Sequence, residues 1–174
     1  ISIADMPIDA QEFFGSFITM DDPRHARLRN IVSRSFTPRA LQGVLDSVET
    51  ICTEVIDDMC EQGEVDLVEA ISQPFPLLVI CDMMGIPRSE FQTVLDATNV
   101  ILGAGDPETL GDKDIITAFF EAGIQLTNLM NELAEFRRRN PTDDLTSALV
   151  HNELGEDMLS PAEIAPFFIL LAVA

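Results

Sequence analysis

Residues 22–36 read DPRHARLRNIVSRSF and concentrate positive charge in an otherwise acidic chain, because four of its ten Lys and Arg residues fall within them. Asp22 can accept hydrogen bonds from the free amides at a helix N-terminus, and Pro23 has the backbone φ angle of a first helical residue. The stretch therefore predicts a helix that starts here. Thr37 and Pro38 repeat this signal and predict the start of the next helix.

A helical wheel at about 100° per residue divides this helix into two faces. One face combines basic with apolar residues, namely His25, Arg29, Val32 and Phe36. The other face carries Arg24, Arg27, Ile31 and Arg34. Two cationic side chains spaced i, i+4 beside apolar groups repel each other and lose hydration unless an anion lies between them. The first face therefore indicates an anion clamp, while a basic helix whose Arg side chains pair with carboxylates elsewhere stays open as the alternative.

The wider stretch resembles a known family. Residues 17–29, FITMDDPRHARLR, and residues 32–39, VSRSFTPR, resemble the C-helix region of bacterial cytochromes P-450, which are haem-thiolate monooxygenases. The resemblance implies that His25 and Arg29 bind the propionates of a haem b. It also implies a mainly α fold with little or no β structure, corresponding approximately to helices C to I of the family.

The resemblance extends over nearly the whole chain, strongest at 13–39 and clear at 65–107. It is nearest to bacterial members that hydroxylate steroids, terpenoids or methyl-branched lipids, which implies an apolar small-molecule substrate and dioxygen as oxidant. Residues 168–174, FILLAVA, resemble the approach to the oxygen-activation motif of the family's I helix. The substrate pocket predicted on this basis consists of Ile18, Leu170, Val173 and Ala174. A surface-loop role for Ile18 is the open alternative.

The second face of the helix predicts an electron-donor surface. In the resembled family, a small acidic ferredoxin or flavodoxin delivers electrons at a surface to which the C helix contributes. A protein of net charge −20 repels an acidic donor unless a local basic patch orients the encounter. Arg24, Arg27 and Arg34, extended by Arg39, are the predicted patch. The alternative is that they pair with Asp and Glu of their own surface.

Composition limits the classes of partner. The net charge of −20 and the pI of about 4.1 disfavour nucleic acid and anionic membrane surfaces as partners. The longest apolar run, residues 167–174, is far shorter than the ~20 residues that span a bilayer, and we expect a cytoplasmic protein. The chain begins at Ile1 and stops within an apolar helical run. We therefore expect residues 1–174 to be part of a single domain, cut from a larger enzyme.

The three cysteines do not resemble the haem ligand of the family. Cys52, Cys60 and Cys81 lie in apolar helical patterns without a C-x-x-C spacing, which predicts reduced core residues and no metal site. The family's ligand lies in a loop rich in Phe and Gly, and none of the three has that setting. The thiolate that ligates the iron is therefore expected outside this chain, which should be inactive alone.

Local patterns predict further elements. Apolar residues recur at three and four over residues 38–61, which predicts an amphipathic helix closed by Gly63, and residues 65–68 could form a short strand. Residues 75–81 predict a buried helix with Pro74 and Pro76 near its first turn. Helices are also predicted at 88–102, over about 28 residues ending in Arg137–Arg139, at 143–153 and from a capping box at Ser160–Glu163.

The helices before and after the Gly-rich stretch 103–111 predict either a substrate lid or a plain helical hairpin. Two other functional classes stay open. A non-enzymatic, all-α ligand-binding module would use the basic clamp for an acidic ligand, but it does not account for the long resemblance. A purely structural helical scaffold has no use for a cationic pair beside Val32 and Phe36.

Overall fold

The structure, a computed structural model, describes residues 15, 18, 20–38, 41–60, 62–103, 114–151 and 159–173. In this part of the chain the backbone is helical with no strand, so the predicted mainly α fold class is confirmed. The α-helices, numbered here in chain order, are α1 (Arg24–Ser33), α2 (Gln42–Cys60), α3 (Pro74–Met84), α4 (Phe91–Leu102), α5 (Ile115–Arg139), α6 (Leu145–His151) and α7 (Pro161–Val173).

The segment between α2 and α3 differs from the expected strand. Gly63 has a left-handed φ of 77°, which only glycine adopts readily, and it turns the chain after α2. Beyond it, the Asp66 carboxylate accepts the amide of Val68 at 2.7 Å, and a π-helix over Val68–Ser72 follows. A strand at residues 65–68 is therefore wrong. The side chain of Asp66 satisfies amides that would otherwise need a neighbouring strand.

Two proline residues open α3, as predicted. Pro74 is its first residue and Pro76 its third, where a missing amide costs no helical hydrogen bond. The helix buries Leu77 and Met84, and it ends at Gly85, whose φ is 74°. The Thr146 hydroxyl of α6 donates to the Met84 carbonyl at 2.6 Å, which joins the two helices inside the core.

α4 and α5 pack against each other as a helical pair. Asp114 caps α5 by accepting the Thr117 amide at 3.0 Å. The last turn of α5 is basic, with Arg137–Arg139, which suits the negative end of a helix dipole. Residues 104–113 lie outside the described residues, so the choice between a lid and a plain hairpin stays a prediction.

α7 lies at the centre of the molecule and packs against α5, α4 and α3. The Glu163 half of the predicted capping box is present, because Glu163 Oε2 accepts the Ser160 amide at 2.8 Å, and the Ser160 hydroxyl donates to the same oxygen at 2.8 Å. Residues 164–169 are all buried, so this stretch of α7 is enclosed on every side. A helix that is apolar all round is stable only in such a central position.

Candidate cofactor site

α1 forms where the sequence predicts it. The Asp22 carboxylate accepts the Ala26 amide at 3.2 Å and so satisfies a donor that the first helical turn leaves free. The helix buries Leu28, Ile31 and Val32 against the core. This apolar stripe fixes which side of the helix faces inward, and therefore where its basic residues lie.

The buried stripe runs between the two predicted faces and does not coincide with either. Leu28, which neither face includes, lies at its centre, with Ile31 and Val32 on either side. The basic residues consequently flank the stripe. Arg27 lies along one edge, whereas His25 and Arg29 lie along the other, so the structure keeps the predicted separation of these cations.

His25 and Arg29 occupy adjacent turns of the same edge. His25 is half-buried, and its Nδ1 lies 3.7 Å from the Asp22 carboxylate. Arg29 is exposed, and no carboxylate in the described part of the chain forms an ion pair with it. Phe36, which follows α1 in the 3-10 helix Arg34–Phe36, packs partly against the core. The edge thus offers an exposed guanidinium beside a half-buried imidazole, a combination suited to an anion.

Arg27 forms a long-range ion pair that the sequence did not predict. Its Nη1 donates to Glu163 Oε1 of α7 at 2.8 Å, and the two side chains are 35% and 14% exposed. The alternative of pairing with a carboxylate of the same chain holds for this residue, although the partner lies 136 positions away.

The remaining predicted docking residues are less constrained. Arg24 is exposed at the first turn of α1, and among the described residues no carboxylate forms an ion pair with it. Arg34 continues the chain in a 3-10 helix, Arg34–Phe36, but its side chain is outside the described set. Arg39 also lies outside the described residues. A basic docking patch therefore stays a prediction for these positions.

The predicted pocket residues that the structure describes differ in exposure. Ile18 is 51% exposed, Leu170 and Val173 near the end of α7 are half-buried, and Ala174 lies outside the described residues. One cavity of about 690 Å³ between α2, α3 and α6 is lined by Asp82 and other polar groups, and neither Ile18, Leu170 nor Val173 lines it. A cavity lined by carboxylates does not suit an apolar substrate. This cavity therefore does not test the predicted substrate pocket.

The cysteines differ in burial. Cys81 is buried, as predicted, and desolvation raises the pKa of its thiol to about 12 despite the opposing effect of Arg88. Cys81 therefore stays a neutral thiol at physiological pH, whereas iron ligation requires a thiolate. Cys52 is half-buried, and Cys60 is exposed, so the prediction of a core position is wrong for Cys60.

Two features of the site region carry weak sequence signals. Pro166 lies inside α7, where the helix is buried and neighbouring elements can compensate for the missing amide. Glu163 is predictable only as a capping residue, because nothing in its neighbourhood points to Arg27.

In the described part of the chain, no cluster of three His, Cys, Asp or Glu residues could hold a metal ion. Nor is any described helix long and apolar enough to cross a bilayer.

Sequence comparison links the chain to bacterial hydroxylases. It is 44% identical over 177 residues to a methyl-branched lipid omega-hydroxylase of Mycobacterium tuberculosis, with all of this chain and 41% of the relative covered. It is 31% identical over 167 residues to a steroid C26-monooxygenase of Rhodococcus jostii, with 96% of this chain and 34% of the relative covered. No family model matches the sequence.

Structural comparison gives the same result. A cytochrome P450 of Mycobacterium marinum in complex with pseudoionone superposes with a TM-score of 0.87 at 36% identity, covering 97% of this chain and 41% of that protein. A Bacillus subtilis cytochrome P450 of bacillaene polyketide synthesis superposes with a TM-score of 0.80 at 28% identity, covering 97% and 42%. The chain spans about two fifths of the length of these relatives. On these similarities in sequence and structure, this chain belongs to the cytochrome P450 family.

Proposed function

We propose that the complete protein is a haem-dependent monooxygenase that hydroxylates an apolar small molecule, and that residues 1–174 form part of its single catalytic domain. The observation that carries the proposal is the edge of α1 on which the exposed Arg29 has no carboxylate partner among the described residues. The likeness to a lipid hydroxylase over the full length of this chain supports the same reaction class.

The haem would be held at this edge of α1. A propionate is an anion with oxygen acceptors, and the Arg29 guanidinium and the His25 imidazole can both donate to it. The residues present therefore fit the group. Bound haem with a cysteine thiolate ligand supplies the activation of dioxygen that places one oxygen atom on the substrate. The cysteine ligand lies outside these 174 residues, and we expect this chain to be inactive by itself.

The proposed substrate is an apolar lipid, steroid or terpenoid. Ile18, Leu170, Val173 and Ala174 are proposed to contact it, because apolar side chains recognise such molecules mainly by excluding water. The names of the relatives, methyl-branched lipid omega-hydroxylase and steroid C26-monooxygenase, support a lipid-like substrate class. The remaining pocket walls would come from parts of the protein beyond this chain.

The proposed electron donor is an acidic ferredoxin or flavodoxin that approaches the basic residues of α1. Arg24 and Arg34 are the main candidates for its docking. Arg27 is a weaker candidate, because its charge is already paired with Glu163. An exposed basic patch on a protein of net charge −20 steers an acidic partner to one location. A cytoplasmic location, where such donors reside, is part of the same proposal.

The difference spectrum of the reduced, carbon monoxide-treated complete protein tests the proposal. A thiolate-ligated haem gives a red-shifted Soret band, which is the expected result. Purified protein that binds no haem and gives no such band would contradict the monooxygenase and favour the non-enzymatic ligand-binding module. In that case a small acidic ligand should displace thermal unfolding to higher temperature, and the Arg29→Leu variant should lose this effect.

A further inference from the structure

Glu163 holds two elements together with one carboxylate. Its Oε1 accepts from Arg27 Nη1 of α1 at 2.8 Å, and its Oε2 accepts from the amide and the hydroxyl of Ser160, each at 2.8 Å. Both oxygens are therefore occupied by donors from different directions. A carboxylate fixed in this way has little freedom to rotate, so it gives Arg27 a defined anchoring point.

The charge state of Glu163 supports a permanent ion pair. Burial alone would raise its pKa, but the hydrogen bonds from Ser160 and Arg27 outweigh that effect and lower the pKa below its usual value. Glu163 is therefore ionised at neutral pH. A charge-assisted hydrogen bond between partly buried groups is stronger than a pair on the open surface.

α1 has a second attachment to α7 through aromatic rings. Phe36, at the end of the 3-10 helix that continues α1, meets Phe167 edge to face, with ring centroids 6.4 Å apart and planes at 79°. The ion pair lies within α1, and the ring contact lies in the 3-10 helix that follows it. Two separated attachments resist rotation of the helix about its axis, which a single contact would permit.

The rotation of α1 decides the direction of the cofactor-binding edge. Arg27 is two residues from both His25 and Arg29, which places it about 160° from each of them around the helix axis. The buried stripe separates the two edges. Because Arg27 is held against Glu163 of α7, His25 and Arg29 face away from α7. On that side of α1, no carboxylate of the described residues forms an ion pair with Arg29.

We propose that Arg27 and Glu163 are positioning residues for the haem-binding edge of α1, acting through the orientation of His25 and Arg29. This inference rests on the proposed function, because it assumes that the edge binds haem propionates. It assigns Arg27 primarily to the internal architecture of the enzyme and only secondarily to the donor surface. Neither residue is proposed to touch the haem.

The test uses the complete holoprotein and the variants Arg27→Met, Glu163→Gln and their combination. Gln at 163 keeps an oxygen acceptor for Ser160, so the helix cap is retained while the ion pair is lost. The rate of haem transfer to excess apomyoglobin should rise about three- to tenfold in each single variant, as expected for a charge-assisted hydrogen bond acting indirectly. The double variant should lose haem no faster than the faster single variant, because both changes remove one interaction.

A matched control comes from another interhelical ion pair. Arg88 Nη2 donates to Glu54 Oε2 at 3.0 Å, and both side chains are about half exposed, 50% and 53%. Arg88→Met should leave haem transfer unchanged. The conservative variant Arg27→Lys, which keeps the charge, should restore most of the wild-type rate and serves if Arg27→Met does not fold.

The possible outcomes separate the two proposals. A wild-type protein without haem would overturn the proposed function. Wild-type haem binding with unchanged haem transfer in all Arg27 and Glu163 variants would overturn the positioning role alone. Independent, additive effects of the two substitutions would also overturn it. Thermal unfolding, recorded in parallel, identifies a merely structural role, which would lower the unfolding temperature of the variants without changing haem transfer at 25 °C.

Discussion

Gly85 lies against the carboxylate of Asp144 so closely that a Cβ atom at position 85 would overlap it. The same carboxylate accepts hydrogen bonds from Arg137 Nε, from the Thr142 hydroxyl at 2.6 Å and from the Ser147 amide at 2.7 Å. Arg137 also donates from Nη2 to the Gly85 carbonyl at 3.0 Å. A single largely buried carboxylate therefore joins the end of α3, the end of α5 and the start of α6.

Gly85→Ala should destabilise the complete protein strongly. The left-handed φ of 74° alone costs a non-glycine residue about 1–3 kcal/mol, and displacement of Asp144 adds to this loss. Urea unfolding, followed by circular dichroism, measures the difference. Gly43→Ala is the control, because Gly43 lies in α2 with open space around it, and it should be neutral or stabilise by up to about 1 kcal/mol. Equal losses at both positions would contradict the role assigned to Gly85.

Arg29→Leu should weaken haem retention. A charge-assisted hydrogen bond contributes about 1.5–3 kcal/mol, so its loss should raise the haem transfer rate about tenfold or more. Arg24→Leu removes another exposed cation of the same helix, from the predicted second face, and should change the rate little. Similar haem loss in both variants would mean that the general positive charge of α1, and not the His25–Arg29 edge, retains the cofactor.

Arg24→Glu combined with Arg34→Glu should slow reduction by a ferredoxin-type donor at low ionic strength. The loss should shrink with added salt, because salt screens the encounter between exposed charges. Arg27 stays unchanged in this variant, so its ion pair with Glu163 is retained. Turnover driven by peroxide bypasses the donor and should be unaffected. If reduction proceeds at the wild-type rate at low salt, α1 does not bind the donor through these residues.

Glu163→Gln should change the pH dependence of stability. Because the pKa of Glu163 is lowered from 4.5 in the folded protein, its ionised form stabilises the fold fully above about pH 4.5. That stabilisation is lost as the pH falls through the lowered pKa. The variant should therefore be less stable than the wild type by about 1–3 kcal/mol at pH 7, and the gap should narrow as the pH falls below about 4.5. Urea unfolding at several pH values measures the gap, and a gap independent of pH would contradict the ionic role.

Signals confined to a few neighbouring residues determined most of the helices. The Asp22-Pro23 start of α1, the prolines that open α3 and the basic end of α5 all act on backbone groups within one turn. Such signals can be identified in a sequence without knowledge of the fold. Apolar spacing likewise predicted that α2 is amphipathic and buries one side. The resemblance of residues 17–39 to one family added the cofactor and the proposed roles of His25 and Arg29.

Only the tertiary structure decided which distant groups meet. The pairing of Arg27 with Glu163 joins positions far apart in sequence, and spacing cannot distinguish Glu163 from the other 29 acidic residues. The pattern of residues 65–68 is compatible with a strand, but the Asp66 carboxylate accepts the amides of Val68 and Glu69, and a π-helix over Val68–Ser72 begins in this stretch. Periodicity shows that a helix buries a side. It does not show which element covers that side. The covering element depends on contacts that form only when the chain folds.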